Sequence, residues 1–299
     1  MRRIGWPGGN ARVRLSGMRR LWTRAIRAVL MSVAMQPILS EASASASVRI
    51  EYVPPTDPAH RALYELLQKR GALEKLQEIF SPFQLPIDLT LTTVGCEGVA
   101  NAYYQRPELR ICYEYLDEIL QTMPKETTKA GITPTDAVVG QFFYVVAHEM
   151  GHAVFDLFDV PLFGRPEDAA DHFAAYMMLQ FGKAEAGRLI GGAAYSYRKF
   201  VHDPRYIVPL EAFSDAHGAP AQRFYNLLCI AYGADAKLFA DVVEKGYLPK
   251  KRAATCRGEY REVAFAFKQL IAPRLDQERM KQVFDKTWLP EVGAPSVHK

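Results

Sequence analysis

Apolar and polar residues alternate in steps of two in the first third of the chain and then change to a helical period. Val48, Ile50 and Tyr52 alternate with Arg49 and Glu51, so residues 48–53 are predicted to form a strand. Residues 87–94 alternate in the same way, and residues 110–113 suggest a further short strand. Residues 57–80 between them read as one amphipathic helix. From Pro134 the pattern is mostly helical: a long segment starting there, a second from Pro166 towards Gly182, then residues 184–200, 220–232, 237–244 and 257–272. A few short strands followed by a helical majority predict an α+β fold, and no internal repeat is visible.

The long helix carries the strongest chemical signal. Thr133 is placed to cap it, Pro134 suits its first position, and the stretch from Ala137 to Ala147 is almost wholly apolar, as in a buried central helix. His148-Glu149-Met150-Gly151-His152 follows directly. Residues four apart on a helix stand about 6 Å apart on one face, so His148 and His152 can bind the same metal ion. Glu149 then lies beside the open coordination position, where a carboxylate can take a proton from water activated by the metal. Histidine and glutamate are ordinary helix residues. Burying two imidazoles and a carboxylate without partners is costly, however, and one Zn²⁺ ion supplies the partner.

A hydrolytic zinc site uses three protein ligands and a water, so a third donor is expected downstream. Pro161 and Gly164 end the first helix, Pro166 opens the next, and Glu167, Asp168 and Asp171 lie in its first turns. Acids are favoured there by the helix dipole whatever their function. Glu167 is the preferred ligand over Asp168 or Asp171, and Asp171 is then placed to accept a hydrogen bond from the far nitrogen of a liganding histidine.

The order His-Glu-x-x-His followed by Glu-x-x-Ala-Asp on the next helix resembles the gluzincins, which include thermolysin-like peptidases and CAAX prenyl endopeptidases. The resemblance implies His148, His152 and Glu167 as ligands, Glu149 as general base and Asp171 behind a histidine. Only fourteen residues separate His152 from Glu167, fewer than in thermolysin-like enzymes, so the connection must be compact. From about Val48 to Ala272 the chain is similar to a family of secreted bacterial zinc metallopeptidases whose activity is itself inferred. The shared features include Asn101-Ala102-Tyr103-Tyr104, Cys112-Tyr113-Glu114, the metal motifs, Ser214-Asp215-Ala216-His217, Gln222-Arg223, Asn226 and Cys229. That likeness implies a zincin-like plan, with a small sheet above the metal helix facing a helical lobe across a groove.

Asn101-Ala102-Tyr103-Tyr104 resembles the edge strand along which zinc peptidases lay an extended substrate, and it reads equally well as an arm of an ordinary hairpin. Asn101 and Ala102 are therefore candidate substrate contacts. His217 lies in a polar loop that Pro220 follows, where it is a candidate donor to a developing oxyanion, with Tyr104 as the other candidate. Asp215 is positioned to orient His217, and Arg223 to bind a substrate carboxylate or anchor the loop. His60, on a charged amphipathic helix, His202, in a loop, and His298, in the tail, carry no chemical signal. His172 follows Asp171 on the ligand helix, but adjacent helical residues point about 100° apart, so it lies outside the metal's immediate contacts.

Arg19, Arg20, Arg24 and Arg27 precede an uncharged stretch from Ala28 to Ser40 and a run of small residues, which reads as a signal peptide over residues 1–46 with cleavage after Ala44 or Ala46; Met18 is an alternative start. Thirteen uncharged residues are short of the roughly 20 that span a bilayer. Residues 47–289 then form a single domain, and residues 290–299 a loose tail. Residues 1–46 hold eight of the 37 basic residues and one of the 33 acidic ones, leaving 29 bases against 32 acids, about −3. That balance speaks against nucleic-acid binding, and Lys250-Lys251-Arg252 reads as a solvated loop. Four cysteines in an exported protein suggest two disulfides. Spacing favours Cys96 with Cys112 and Cys229 with Cys256 over the other two connectivities and over a thiolate zinc site.

Two functions fit. One is a periplasmic or extracellular zinc metallopeptidase acting on a peptide or protein. The other is a zinc-binding structural or adhesive envelope protein with the same fold and no turnover.

Overall fold

The computed structural model describes residues 46–289 apart from positions 202 and 204. The expected signal peptide, His202, the tail and His298 therefore lie outside the described residues. Strand β1 (Val48–Tyr52) leads through two helices, α1 (Arg61–Arg70) and α2 (Ala72–Phe80), to β2 (Leu89–Val94), which lies parallel to it with Val48 opposite Leu89. A hairpin follows, β3 (Ala102–Gln105) and β4 (Glu108–Cys112). β4 pairs parallel with β2 and antiparallel with β3, giving the order β1-β2-β4-β3. The crossover through α1 and α2 is the length that a parallel pair requires. β3 ends the sheet, so the hairpin arm and the edge strand are the same element.

The single helix expected over residues 57–80 is two. Gly71, at φ 57°, adopts the left-handed conformation that glycine tolerates best, and its N–H closes on the Gln68 carbonyl to end α1. His60, expected on a charged helix, is buried in a short turn that precedes α1, with its ring 5.9 Å from that of Tyr113. Helix α3 (Tyr113–Thr122) has no start signal in the sequence: β4 runs straight into it with neither glycine nor proline between them and no side chain capping it.

Helix α4 (Pro134–Leu157) is the long central helix the sequence predicts. Thr133 Oγ1 accepts the Asp136 N–H at 3.0 Å while Asp136 Oδ2 accepts the Thr133 N–H at 3.4 Å, a reciprocal cap. Then come α5 (Pro166–Met178), α6 (Lys183–Ser196), α7 (Arg198–Val201), α8 (Pro220–Ala234), α9 (Ala240–Glu244), α10 (Lys250–Leu270) and α11 (Gln277–Phe284). Lys250-Lys251-Arg252 is not a loop but the first turn of α10. Arg252 Nη2 donates to Glu259 Oε2 at 2.7 Å and to Asn226 Oδ1 at 3.2 Å, tying α10 to α8. The disulfides pair Cys96 with Cys112 and Cys229 with Cys256, as the spacing favoured. No helix among the described residues is long and apolar enough to cross a membrane.

One apolar core joins the two halves. Leu89, Leu91, Leu109 and Ile111 of the sheet and Val146, Met150 and Val154 of α4 are fully buried in the same cluster as Met177 and Met178 of α5. α4 and α6 cross at glycines. A Cβ on Gly140 would come within 2.6 Å of the Leu189 carbonyl oxygen, and one on Gly192 would overlap that of Asp136. This backbone-to-backbone approach sits two turns before His148 and sets the depth of the metal helix. The architecture is α+β: a small mixed four-stranded sheet followed by a mostly helical region.

Candidate metal centre

α4 presents one face, at spacings of three and four, to a cleft of about 720 Å³: Gln141, Tyr144, Val145, His148, Glu149, His152 and Asp156. Within it, His148 Nε2 lies 3.2 Å from His152 Nε2 and 3.0 Å from Glu167 Oε2, and His152 Nε2 lies 3.2 Å from the same oxygen. The compact turn after α4 and the start at Pro166 bring Glu167, in the first turn of α5, over the two imidazoles. Asp168 turns away to Arg165, with Nε at 3.0 Å. Asp171 lies one turn beyond Glu167, behind His148: Oδ1 is 2.8 Å from Nδ1, and Arg223 grips both of its oxygens at 2.7 Å.

The donor set fits a metal ion. Ligands at 2.0–2.1 Å around a tetrahedral zinc stand about 3.3 Å from one another. The three atoms, with edges of 3.0–3.2 Å, form nearly that triangle. Two imidazole nitrogens and a carboxylate oxygen packed so closely could hold a cation between them. His217 Nε2 is a further donor, 2.9 Å from Glu167 Oε2, and His148, Glu167 and His217 present atoms within 4.8 Å of one another. The His217 ring stacks on that of His148 at 5.8 Å, and Asp215 Oδ1 accepts its backbone N–H at 2.8 Å. His172 is not among the residues lining the cleft, and burial lowers its pKa against the nearby Asp171 and Asp168 carboxylates.

The electrostatics follow from this packing. Burial alone would depress His148, but the Asp171 and Glu167 carboxylates outweigh it and raise its pKa to about 9. Burial and the neighbouring His148 lower that of His152. The hydrogen bond from His148 brings Glu167 down to about 2 against the opposing effect of burial. Burial would raise Asp171 too, yet His148 and Arg223 hold it well below the usual carboxylate range. Glu149 goes the other way: burial pushes it up to about 7.

Glu149 Oε2 also accepts the backbone N–H of Tyr104 at 2.9 Å, which ties α4 to the outer edge of β3. By the alternation of an antiparallel pair, Ala102 turns its backbone groups to the same side as Tyr104. Asn101 lines the cleft mouth, and its carbonyl accepts the Cys112 N–H at 3.1 Å. The Tyr104 hydroxyl donates to Asp156 Oδ2 at 2.6 Å, and Arg106 bonds both oxygens of that carboxylate. No sequence motif marks Asp156, although its position four residues after His152 places it on the same helix face. Arg198 and Lys199, also in the cleft wall, carried no motif to mark them.

The chain is an α+β protein with a group of His and Glu side chains, at the junction of α4 and α5, that could hold a metal ion. The chain belongs to the DUF4344 family, described as "Putative metallopeptidase", whose model matches residues 52–271. No curated protein and no solved structure matches it.

Proposed function

We propose that the protein is a zinc-dependent hydrolase of peptide bonds, with one ion held by His148, His152 and Glu167. The observation that carries this reading is the triangle of donors beside a carboxylate, Glu149, fastened to an edge strand. Nitrogen and carboxylate donors suit zinc, and the family description agrees with hydrolysis of a peptide or protein. A zincin-like plan is supported by the same arrangement of edge strand and metal helix.

Bound there, zinc would supply Lewis acidity, polarising a carbonyl and lowering the pKa of water towards about 7. Glu149 accepts the proton of the attacking water and returns it to the leaving amine nitrogen. Burial favours the protonated form of its carboxyl, which suits return of that proton to the leaving group. Asp171 holds the Nδ1 side of His148, leaving Nε2 for the ion. His217, its Nδ1 3.3 Å from Asp215 Oδ1, is the donor to the developing oxyanion once its Nε2 leaves Glu167 Oε2. Tyr104, whose hydroxyl is occupied by Asp156, contributes through its N–H on Glu149. Ala102 offers its outward backbone groups to an extended substrate, with Asn101 at the mouth. Arg223 anchors Asp171 rather than a substrate carboxylate. The two disulfides support work in an oxidising compartment, the periplasm or the cell exterior.

The test pairs metal analysis of the purified protein with cleavage profiling of a mixed peptide library by wild type and Glu149→Gln. Stoichiometric zinc and new peptide termini from wild type alone are expected. Absence of bound metal, or equal cleavage by the variant, overturns the reading.

A further inference from the structure

The charges lining the cleft do not cancel. Asp156 is neutralised by Arg106, Arg223 by Asp171, and Glu149 and Glu167 belong to the metal centre. Three charges remain, the cations Arg198 and Lys199 at the junction of α6 and α7 and the anion Glu118, a net of one positive. Among the described residues no carboxylate lies within the 4.0 Å of an ion pair from either, including Glu118 on the same wall. Arg198 is nonetheless held in place. Its Nη2 donates to the Thr122 carbonyl at 2.9 Å, its Nη1 to that of Tyr195 at 3.3 Å, and its guanidinium lies 4.0 Å from the centre of the Tyr195 ring. Those bonds leave guanidinium N–H groups over. The Lys199 side chain is exposed, with its ammonium 5.0 Å from the Phe200 ring centre.

On this hydrolase reading, we infer that the cleft selects substrates bearing a carboxylate near the scissile bond, and that Arg198 and Lys199 bind it. A guanidinium pinned by carbonyls, with donors free, matches the planar fork of a carboxylate. Both residues line the same cleft as His148 and Glu149. Tyr197, next to Arg198, packs its ring against Tyr144, one turn before His148. The carboxylate belongs either to an Asp or Glu side chain or to the free C-terminus of the substrate.

The experiment uses the zinc-loaded full chain and a labelled peptide set in which Glu or Gln occupies each position around the cleaved bond and the C-terminus is acid or amide. Wild type is expected to favour the charged member of a pair by about tenfold in kcat/KM, through KM. Loss of preference on Glu-to-Gln exchange assigns a side chain; loss on amidation assigns the C-terminus. In Arg198→Gln and in Lys199→Gln the charged-to-neutral ratio falls towards one, and the exposed Lys199 keeps the test open should Arg198→Gln misfold. A ratio of one in wild type, or a ratio unchanged in both variants, overturns the inference. Binding of the same pairs by fluorescence anisotropy separates the two failures. A preference in binding without cleavage sinks the hydrolase reading alone, whereas cleavage without preference sinks the carboxylate site alone.

Discussion

The Glu149 carboxylate and the Tyr104 backbone N–H meet at 2.9 Å, so the long helix α4 and the sheet's edge strand share a hydrogen bond in the wall of the cleft. Any peptide lying along β3 would pass directly over the residue assigned to move the proton. Glu149→Gln keeps an oxygen for that N–H but cannot accept the proton. It should retain zinc by metal analysis and lose at least about 100-fold in kcat. Wild-type turnover in this variant would remove Glu149 from the mechanism, and a wild type that binds zinc yet creates no new peptide termini would favour the structural envelope protein.

Asp171 joins His148 to Arg223. Asp171→Asn should weaken zinc affinity by about 10- to 100-fold in a competitive chelator titration. It also leaves the Arg223 guanidinium buried without its counter-charge, so Tm should fall by on the order of 10 °C. Unchanged affinity would mean that His148 is oriented by something else.

Metal removal should register in the fold as well as in activity, because the donors come from two helices, α4 and α5. Dialysis against a chelator should lower Tm and abolish cleavage, and added zinc should restore both. A Tm indifferent to complete loss of metal would mean that the ion does not bind where those helices meet.

Two glycines of α6 should respond in opposite directions. Gly192→Ala forces a methyl group into the Asp136 carbonyl and should destabilise by about 1–3 kcal/mol. At Gly187 a Cβ meets nothing within 4 Å, so Gly187→Ala should stabilise by about 0.5–1 kcal/mol. Urea unfolding of both variants checks the pair, and equal shifts would contradict the close crossing of α4 and α6.

Glu114 accepts the N–H groups of Cys96 and Gly98, at 2.9 and 3.0 Å, in the loop that leads to β3. Burial opposes its ionisation, but the Gly98 and Cys96 N–H groups outweigh burial and hold its pKa below the usual glutamate value. A depressed folded pKa stabilises above the unfolded value, about 4.3, and that stabilisation is lost as pH falls through the folded one. Wild-type Tm should therefore fall more steeply below about pH 4.3 than that of Glu114→Gln, as read by thermal melts across the acid range. Parallel profiles would show that the carboxylate's charge contributes nothing there.

What the sequence determined by itself was local. The i, i+4 spacing of His148 and His152, the Thr133 cap, the proline starts of α4, α5 and α8 and the pairing of nearby cysteines all depend on residues close in the chain, where helical period and loop length set the geometry. The tertiary structure decided what lies across long separations. Three acids share the first turns of α5, equally favoured by its dipole, and only the packing of α5 on α4 set Glu167 against both imidazoles, Asp168 against Arg165 and Asp171 behind His148. Arg223 went to Asp171, 52 residues away, because α8 packs on α5, and Tyr104 reached Glu149 across 45 residues because β3 ends the sheet. Charge partners such as these are chosen by how helices and strands dock, and residue order carries no record of that docking.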